Sequence, residues 1–254
     1  MNKYAIEVQD VHFSYMTPRK EPFFEKIPFP FKRVVNEKKA ALNGINLEIQ
    51  AGKITALLGR NGSGKTSLIK LIAGSRIPDS GKIKVFGLAP EKARPRMGVC
   101  LGSTLIYHRL TARENLEYFA RLYSVENEKR RIDELSEMLE IRGVLDQLVE
   151  TFSYGMKAKL AIARSLIHSP ELLILDEPTL GIDLHLASHL RAFIRSLKCT
   201  VLLTTHYMEE AQELADDLCL IDKGKIQDMG SKNSILEKYH AKGVSEVFLQ
   251  ATGT

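Results

Sequence analysis

The chain has 254 residues, of which 44% are hydrophobic and 26% charged, and its formal net charge is +5. This is a globular composition, and it excludes disordered, collagen-like and disulfide-scaffold proteins. Most of the excess charge lies in residues 16–39, which hold seven basic and three acidic side chains. The nearly neutral remainder argues against a nucleic-acid partner.

We expect neither a membrane-spanning helix nor a signal peptide in this sequence. No run approaches the roughly 18 apolar residues of a membrane-spanning helix. The first ten residues lack the apolar core of a signal peptide. Three separated cysteines without metal-ligand spacing predict buried free thiols in a reducing compartment: Cys100, Cys199 and Cys219.

In the first half of the chain, short apolar runs predict strands and one helix. The predicted helix covers Ser67–Ala73. The strands are Ile6–Val11, Ile45–Ile49, Ile54–Leu58, Lys82–Phe86 and Met97–Leu101.

The middle of the chain is predicted to be helical. Thr111 and Glu114 form a capping box that starts the first of three helices, the third around Val144, Leu145 and Leu148. A further helix runs from Ser153 toward Ile167.

Strands then alternate with a helix. Leu172–Leu175, Val201–Thr204 and Leu218–Ile221 are predicted strands, and Leu184–Leu197 a helix between the first two. This order predicts an α/β fold whose parallel sheet is interrupted by a helical insertion.

A phosphate-binding loop lies between a predicted strand and a predicted helix. Gly59–Thr66 matches G-x-x-x-x-G-K-[ST], in which backbone amides and the helix N-terminus face phosphates. Lys65 is predicted to neutralise the β and γ phosphates, and Thr66 to ligate Mg²⁺. The predicted nucleotide-binding residues are Gly59, Arg60, Asn61, Gly62, Ser63, Gly64, Lys65, Thr66 and Ser67.

Two carboxylates follow the buried strand Leu172–Leu175. Asp176 is predicted to help hold Mg²⁺, and Glu177 to orient the attacking water or accept its proton. An acidic strand end is common by itself, but a phosphate loop earlier in the chain makes this pair a more specific indicator of a nucleotide site.

These motifs resemble the ATP-binding cassette ATPases. Leu175–Thr179 is similar to the Walker B motif, Gly181–Asp183 to the D-loop, and Thr204–His206 to the switch histidine. Phe152–Met156 stands where that family has its signature motif. The resemblance implies a P-loop NTPase fold with a mostly parallel core sheet, an antiparallel β-subdomain and a helical subdomain at about 103–165, all in one domain over 1–254.

The resemblance also implies an ATP-bound homodimer in which each nucleotide lies between two copies. One copy supplies the phosphate loop, with Lys65, Glu177 and His206 as catalytic residues. The other supplies the signature Ser153, Gly155 and Met156, and Asp183 of the D-loop. The alternative for Ser153 is a simple helix N-cap. An aromatic after the first strand is implied to carry adenine: Tyr15, with Phe13 as the fallback and plain packing as the alternative.

The chain departs from the family pattern at three positions. Tyr154 replaces a glycine and Met156 a glutamine of the signature, and Gly102 occupies the place of the Q-loop glutamine. Gly102–Thr104 and Leu110–Phe119 resemble ATPases that drive exporters with separately encoded permeases, and Val244–Leu249 resembles the end of such chains.

Residues 16–39 contain four of the nine prolines and four of the ten phenylalanines. Proline prevents a long helix, and phenylalanine among basic residues suits a membrane surface or the cytoplasmic rim of a permease. A comparable extension occurs in ATPases resembling polysaccharide exporters. The alternative is a solvated loop with its phenylalanines packed on the body.

The leading interpretation is an ATP- and Mg²⁺-dependent hydrolase that powers an integral membrane permease, for export, from the inner face of the cell membrane. The rivals are a soluble cassette ATPase that acts as an assembly or regulatory scaffold, and a P-loop kinase. His185 and His189 are spaced to hold zinc, but no third ligand accompanies them and a solvated helix face is favoured.

Overall fold

A computed structural model describes residues 3–22, 32–101 and 106–253, with the side chains at 19–22 and 32–35 left undescribed. The strands within these ranges are β1 Tyr4–Pro22, β2 Lys32–Gln50, β3 Ile54–Leu58, β4 Ser80–Val85, β5 Met97–Leu101, β6 Leu172–Asp176, β7 Thr200–Thr205, β8 Asp217–Asp222 and β9 Lys225–Ser231. The helices are α1 Lys65–Ile72, α2 Pro90–Ala93, α3 Ala112–Leu122, α4 Glu128–Met138, α5 Tyr154–Leu166, α6 Leu184–Ser196, α7 Met208–Leu214, α8 Lys232–Lys238 and α9 Val244–Thr252.

The central sheet has six strands in the order β5-β6-β7-β3-β8-β9. The first five are parallel, and β9 pairs antiparallel with β8. Along β3, Ala56 and Leu58 enter one hydrophobic core and Leu57 enters the other. The sheet is therefore covered on both faces, which explains the continuous apolar runs of its strands and confirms the predicted parallel sheet.

A second, antiparallel sheet has the order β2-β1-β4. β1 and β2 pair from Tyr4 opposite Gln50 as far as Pro22 opposite Lys32. Residues 16–22 and 32–39 thus continue these strands as a hairpin, so the solvated-loop alternative is wrong for this described part of the segment. Among the described residues, β1 pairs with β4 only as far as His12, which leaves the outer part of the hairpin unpaired along that edge, where proline is tolerated. The four phenylalanines lie outside the described residues.

The helical region follows the prediction at its start and departs from it at its end. Thr111 Oγ1 accepts a bond from the Glu114 amide, and the Glu114 carboxylate accepts one from the Thr111 amide, which confirms the capping box. The third predicted helix is wrong, because Arg142–Val144 and Val149–Thr151 are only short 3₁₀ turns. Instead, the Leu145 and Gln147 carbonyl oxygens accept hydrogen bonds from the first amides of α3. These carbonyl groups therefore do not form hydrogen bonds within a helix of their own segment.

Several elements lacked a clear sequence signal: α2, α7, α8, α9 and β9. Cys100 and Cys219 are buried as predicted, whereas Cys199 is only half-buried. Burial raises the pKa of Cys100 to about 11 and that of Cys219 to about 12. None of the described helices has both the length and the apolar character required to span a bilayer.

Candidate nucleotide site

The phosphate loop is a tight turn between β3 and α1. Gly64 has φ +111°, and a Cβ there would lie 2.7 Å from Leu42 Cδ2 and 2.9 Å from the Ala41 carbonyl oxygen. A Cβ at Gly59 would lie 2.4 Å from the Ile221 carbonyl oxygen. The loop is thus pressed between β2 and β8, which explains the need for glycine at both positions. The helix begins at Lys65, two residues earlier than predicted.

The first amides of α1 are open to a ligand. The N-cap residue is Gly64, and no side chain forms a cap hydrogen bond. A helix start of this kind presents unsatisfied N–H groups and a partial positive charge. It is therefore a site for an anion such as phosphate.

Lys65 places a buried cation inside the loop. Its side chain is 6% exposed, and Nζ donates to the Gly59 carbonyl oxygen at 2.6 Å. Nζ also lies 3.8 Å from Glu177 Oε1. Burial lowers the pKa of Lys65, and the carboxylates of Glu177 and Asp176 oppose that shift. The ammonium is thus poised to exchange protein oxygens for those of a phosphate.

Asp176 lies between two threonine hydroxyls at the carboxyl edge of the parallel sheet. Thr66 Oγ1 donates to Asp176 Oδ2 at 3.2 Å, and Thr204 Oγ1 donates to Oδ1 at 2.5 Å. A hydroxyl beside a carboxylate is the oxygen donor set that Mg²⁺ prefers, so these residues fit the predicted ion. Thr204 was not assigned this contact from sequence, since it depends on the register that places it opposite Asp176.

Glu177 and His206 form a hydrogen-bonded pair. His206 Nδ1 contacts Glu177 Oε2. The Glu177 backbone has φ +53°, a left-handed conformation that is strained for a glutamate, and its amide donates to the Thr204 carbonyl oxygen at 3.1 Å. The structure brings this carboxylate to the phosphate loop from a different strand.

A cavity of about 400 Å³ opens between the phosphate loop and the β1–β2 hairpin. Tyr15 lines it, with its hydroxyl 3.1 Å from Ser67 Oγ and its ring packed edge-to-face on Phe13. Phe13, the fallback, is buried in the core. Thr17 and Lys39 also line the cavity, although no sequence motif identified them as site residues. Lys39 is the cross-strand partner of Tyr15, so only the hairpin register reveals it.

The signature residues lie at the start of α5, away from the lining of this cavity. Ser153 is exposed, and its Oγ accepts a bond from the Met156 amide at 3.3 Å, so it is an N-cap in the single chain. Gly155 is buried, and a Cβ there would lie 2.2 Å from Leu186 Cδ2 of α6. Met156 packs half-buried against the core, and the Tyr154 ring lies over Gly181.

The remaining predicted residues form local contacts on α6 or lie outside the described residues. Asp183 caps α6 by accepting a bond from the Leu186 amide at 2.9 Å, which lowers the pKa of Asp183. His185 and His189 are exposed on α6, with ring centroids 4.3 Å apart. Gly102, where the Q-loop departs from the resemblance, lies outside the described residues.

Comparisons with known proteins agree with this geometry. Residues 42–180 match the family described as "ABC transporter". The chain is 37% identical over 230 residues to the ABC transporter ATP-binding protein NatA of Bacillus subtilis, covering 86% of this chain and 94% of that protein. It is 37% identical over 221 residues to the Nod factor export ATP-binding protein I of a Rhizobium species, covering 83% and 72%.

A solved structure shares the fold. The dimeric, post-hydrolysis structure of the ATP-binding cassette MJ0796 bound to ADP and Pi superposes with a TM-score of 0.75 at 21% identity. The match covers 89% of this chain and 98% of that one.

Proposed function

The chain belongs to the ABC transporter family, and we propose that it is the ATP-hydrolysing subunit of an exporter, whose two copies close around ATP to drive a separate membrane permease. The observation that carries this proposal is the convergence of one phosphate loop, Asp176, Glu177 and His206 at the carboxyl edge of the parallel sheet. Open α/β sheets bind ligands at this edge.

The chain's own residues divide the chemistry of hydrolysis. The open amides of α1 and the Lys65 ammonium bind the triphosphate and neutralise charge that develops on the γ-phosphate. Mg²⁺ held through Thr66 and Asp176 would add further charge neutralisation. Glu177 orients a water molecule and accepts its proton, and His206 fixes the direction of the Glu177 carboxylate.

A second copy supplies the remaining contacts. Ser153 is exposed at the start of α5, where a phosphate bound to another copy can reach its hydroxyl and the first helix amides. Gly155 and Met156 follow it, and Asp183 lies at the start of α6. Replacing ATP by ADP removes the γ-phosphate from this contact and loosens the dimer.

The partner and the direction of transport rest on the relatives. One similar protein is described as a Nod factor export ATP-binding protein, which favours export, and we place this chain at the inner face of the cell membrane, bound to an integral membrane permease. We further propose that the outer part of the β1–β2 hairpin contacts that permease or anionic lipid headgroups, since residues 16–39 carry the excess basic charge.

The Glu177→Gln variant tests the hydrolytic assignment. We expect turnover to fall by about 10²- to 10⁴-fold, because the amide cannot accept a proton. ATP binding should persist, and the variant should accumulate as an ATP-bound dimer in analytical ultracentrifugation. Normal hydrolysis would remove Glu177 from its assigned role. Pull-down of the wild-type chain from detergent-solubilised membranes should then recover an integral membrane protein, whereas a scaffold ATPase would recover none.

A shortened hairpin tests the membrane contact separately. Arg19 pairs with Val35, so replacing residues 20–34 by an Asn-Gly turn keeps the register and the cavity lining. Basal turnover should be unchanged and co-purification with membranes should fall. Unchanged co-purification would contradict this part of the proposal.

A further inference from the structure

One buried carboxylate near the site has no part in the mechanism above. Glu210 lies in the first turn of α7, is 1% exposed, and its Oε1 accepts a hydrogen bond from Thr179 Oγ1 at 3.0 Å. Its Oε2 is buried and forms no hydrogen bond of standard geometry among the described residues, and the Thr205 hydroxyl also stabilises the carboxylate. Burying a carboxylate costs free energy even when hydroxyl groups contact it, so its presence calls for another explanation.

Glu210 joins the two loops that carry the catalytic pair. Thr179 lies two residues after Glu177, in the loop after β6, and is itself 5% exposed. Glu210 lies four residues after His206, in the helix that follows β7. The contact between Thr179 and Glu210 therefore links the segment bearing Glu177 to the segment bearing His206.

The Glu177 backbone requires such support. Its left-handed conformation persists only if the surroundings hold it. On one side its amide bonds to Thr204, and on the other the Leu180 amide donates to the Glu177 carbonyl oxygen at 3.2 Å to close a turn. The Thr179 side chain anchors that turn, and its acceptor is Glu210.

The electrostatic surroundings of Glu210 offset only part of the cost of burying its carboxyl group. Burial raises the pKa of Glu210, the Thr205 and Thr179 hydroxyls and Arg191 oppose the shift, and the charge of Glu177 adds to it. Arg191 is paired with Glu213 at 2.5 Å, so its charge is already partly neutralised.

We propose that Glu210 is a positioning residue, which acts through Thr179 to hold Glu177 in hydrogen-bonding contact with His206. This inference rests on the proposed hydrolytic function. It assigns no contact between Glu210 and ATP.

Three variants test it with ATPase kinetics and thermal unfolding. Glu210→Met removes the acceptor for Thr179 and keeps similar volume, so kcat should fall about tenfold while KM for ATP stays within about twofold. The melting temperature should fall by no more than about 2–4 °C, because the buried Thr179 hydroxyl loses its acceptor while the cost of burying a carboxyl group is removed. Glu210→Gln keeps an acceptor oxygen and should retain kcat within about twofold. The control is Glu209→Gln, an exposed neighbour, which should change neither quantity.

A merely structural residue gives a different pattern. A loss of kcat in Glu210→Met that is fully explained by unfolded protein at the assay temperature would overturn the proposal, as would equal losses of kcat in the Met and Gln variants. If Glu210→Met does not fold, Thr179→Val decides, since it removes the donor instead: a tenfold loss of kcat supports the proposal and a normal kcat rejects it.

Combining substitutions tests whether Glu210 acts through Glu177. The Glu177→Gln, Glu210→Met double variant should be no slower than Glu177→Gln alone, because the residue being positioned is already inactive. An additive loss would contradict the proposal. If the wild-type chain hydrolyses no ATP, the proposed function fails first; if it hydrolyses ATP and Glu210→Met is normal, only this inference fails.

Discussion

The starts of α1 and α5 are both proposed to meet phosphate, yet they are built differently. At α1 the N-cap is a glycine, no side chain satisfies the amides, and the buried Lys65 adds a positive charge. At α5 the Ser153 side chain already satisfies the Met156 amide, and Ser153 itself is exposed. In our proposal, the start of α1 binds phosphate with groups of its own chain, whereas the start of α5 meets a phosphate bound to another copy.

Among the variants that test this comparison of helix starts, the largest effect is expected from removing the buried ammonium group of Lys65. Lys65→Ala should weaken ATP binding by about a hundredfold, because a charged hydrogen-bonding group inside the phosphate loop is lost. Isothermal titration measures the change. Lys70→Ala is the matched control, since Lys70 lies on the same helix but does not line the cavity. Binding by Lys65→Ala at wild-type affinity would remove the distinction between the two helix starts.

Loss of the serine at α5 should affect only the two-copy state. Ser153→Ala should leave ATP binding by the single chain unchanged and reduce turnover and ATP-dependent dimerisation by about tenfold. Ser231→Ala is the control, because Ser231 caps α8 with the same geometry, accepting from the Ser234 amide. Both variants lose a cap worth about 1 kcal/mol. Equal turnover in the two would leave Ser153 as a cap alone.

A third helix start extends the comparison, because the first amides of α3 are already bonded within the chain, by Thr111 and by the carbonyl groups of Leu145 and Gln147. Thr111→Ala should lower the free energy of unfolding by about 1 kcal/mol, or the melting temperature by about 2–4 °C. ATP turnover should be unchanged. A turnover defect larger than the loss of stability would show that this helix start is also linked to the nucleotide.

The smallest effect is the pH dependence of that cap. The bond from the Thr111 amide lowers the pKa of Glu114. Its stabilising contribution is thus full above the ordinary glutamate pKa of about 4.3 and is lost as pH falls through the lowered pKa. The difference in urea midpoint between wild type and Glu114→Gln should stay constant from pH 7 to about 5 and shrink as pH is lowered below about 4.3. A difference that grows on acidification would contradict this sign.

Local patterns predicted much of the fold. The phosphate loop, the acidic end of β6 and the capping box at Thr111 are each recognised from residues a few positions apart, and the two capping bonds lie entirely between Thr111 and Glu114. The predicted third helix at Val144–Leu148 failed for the opposite reason. Its carbonyl groups bond to α3, more than thirty residues earlier.

The outer hairpin shows the same limit. Its prolines argued against a long helix and left a solvated loop as one alternative, but pairing of residues 16–22 with 32–38 continues the two strands. Tyr15 was found through a family resemblance. Thr17 and Lys39 emerge only from the register, which places their side chains beside Tyr15 in the cavity wall.

The groups that can do the chemistry are recognisable from residue type and local spacing, because a glycine loop with its lysine and a pair of carboxylates after a strand are chemically distinct motifs. How these motifs meet depends on long-range packing. The placement of β7 between β6 and β3 sets Thr204 against Asp176 and His206 against Glu177, and α7 then sets Glu210 against Thr179. Strand order and register are fixed by burial of both sheet faces, a long-range condition that spacing along the chain does not encode.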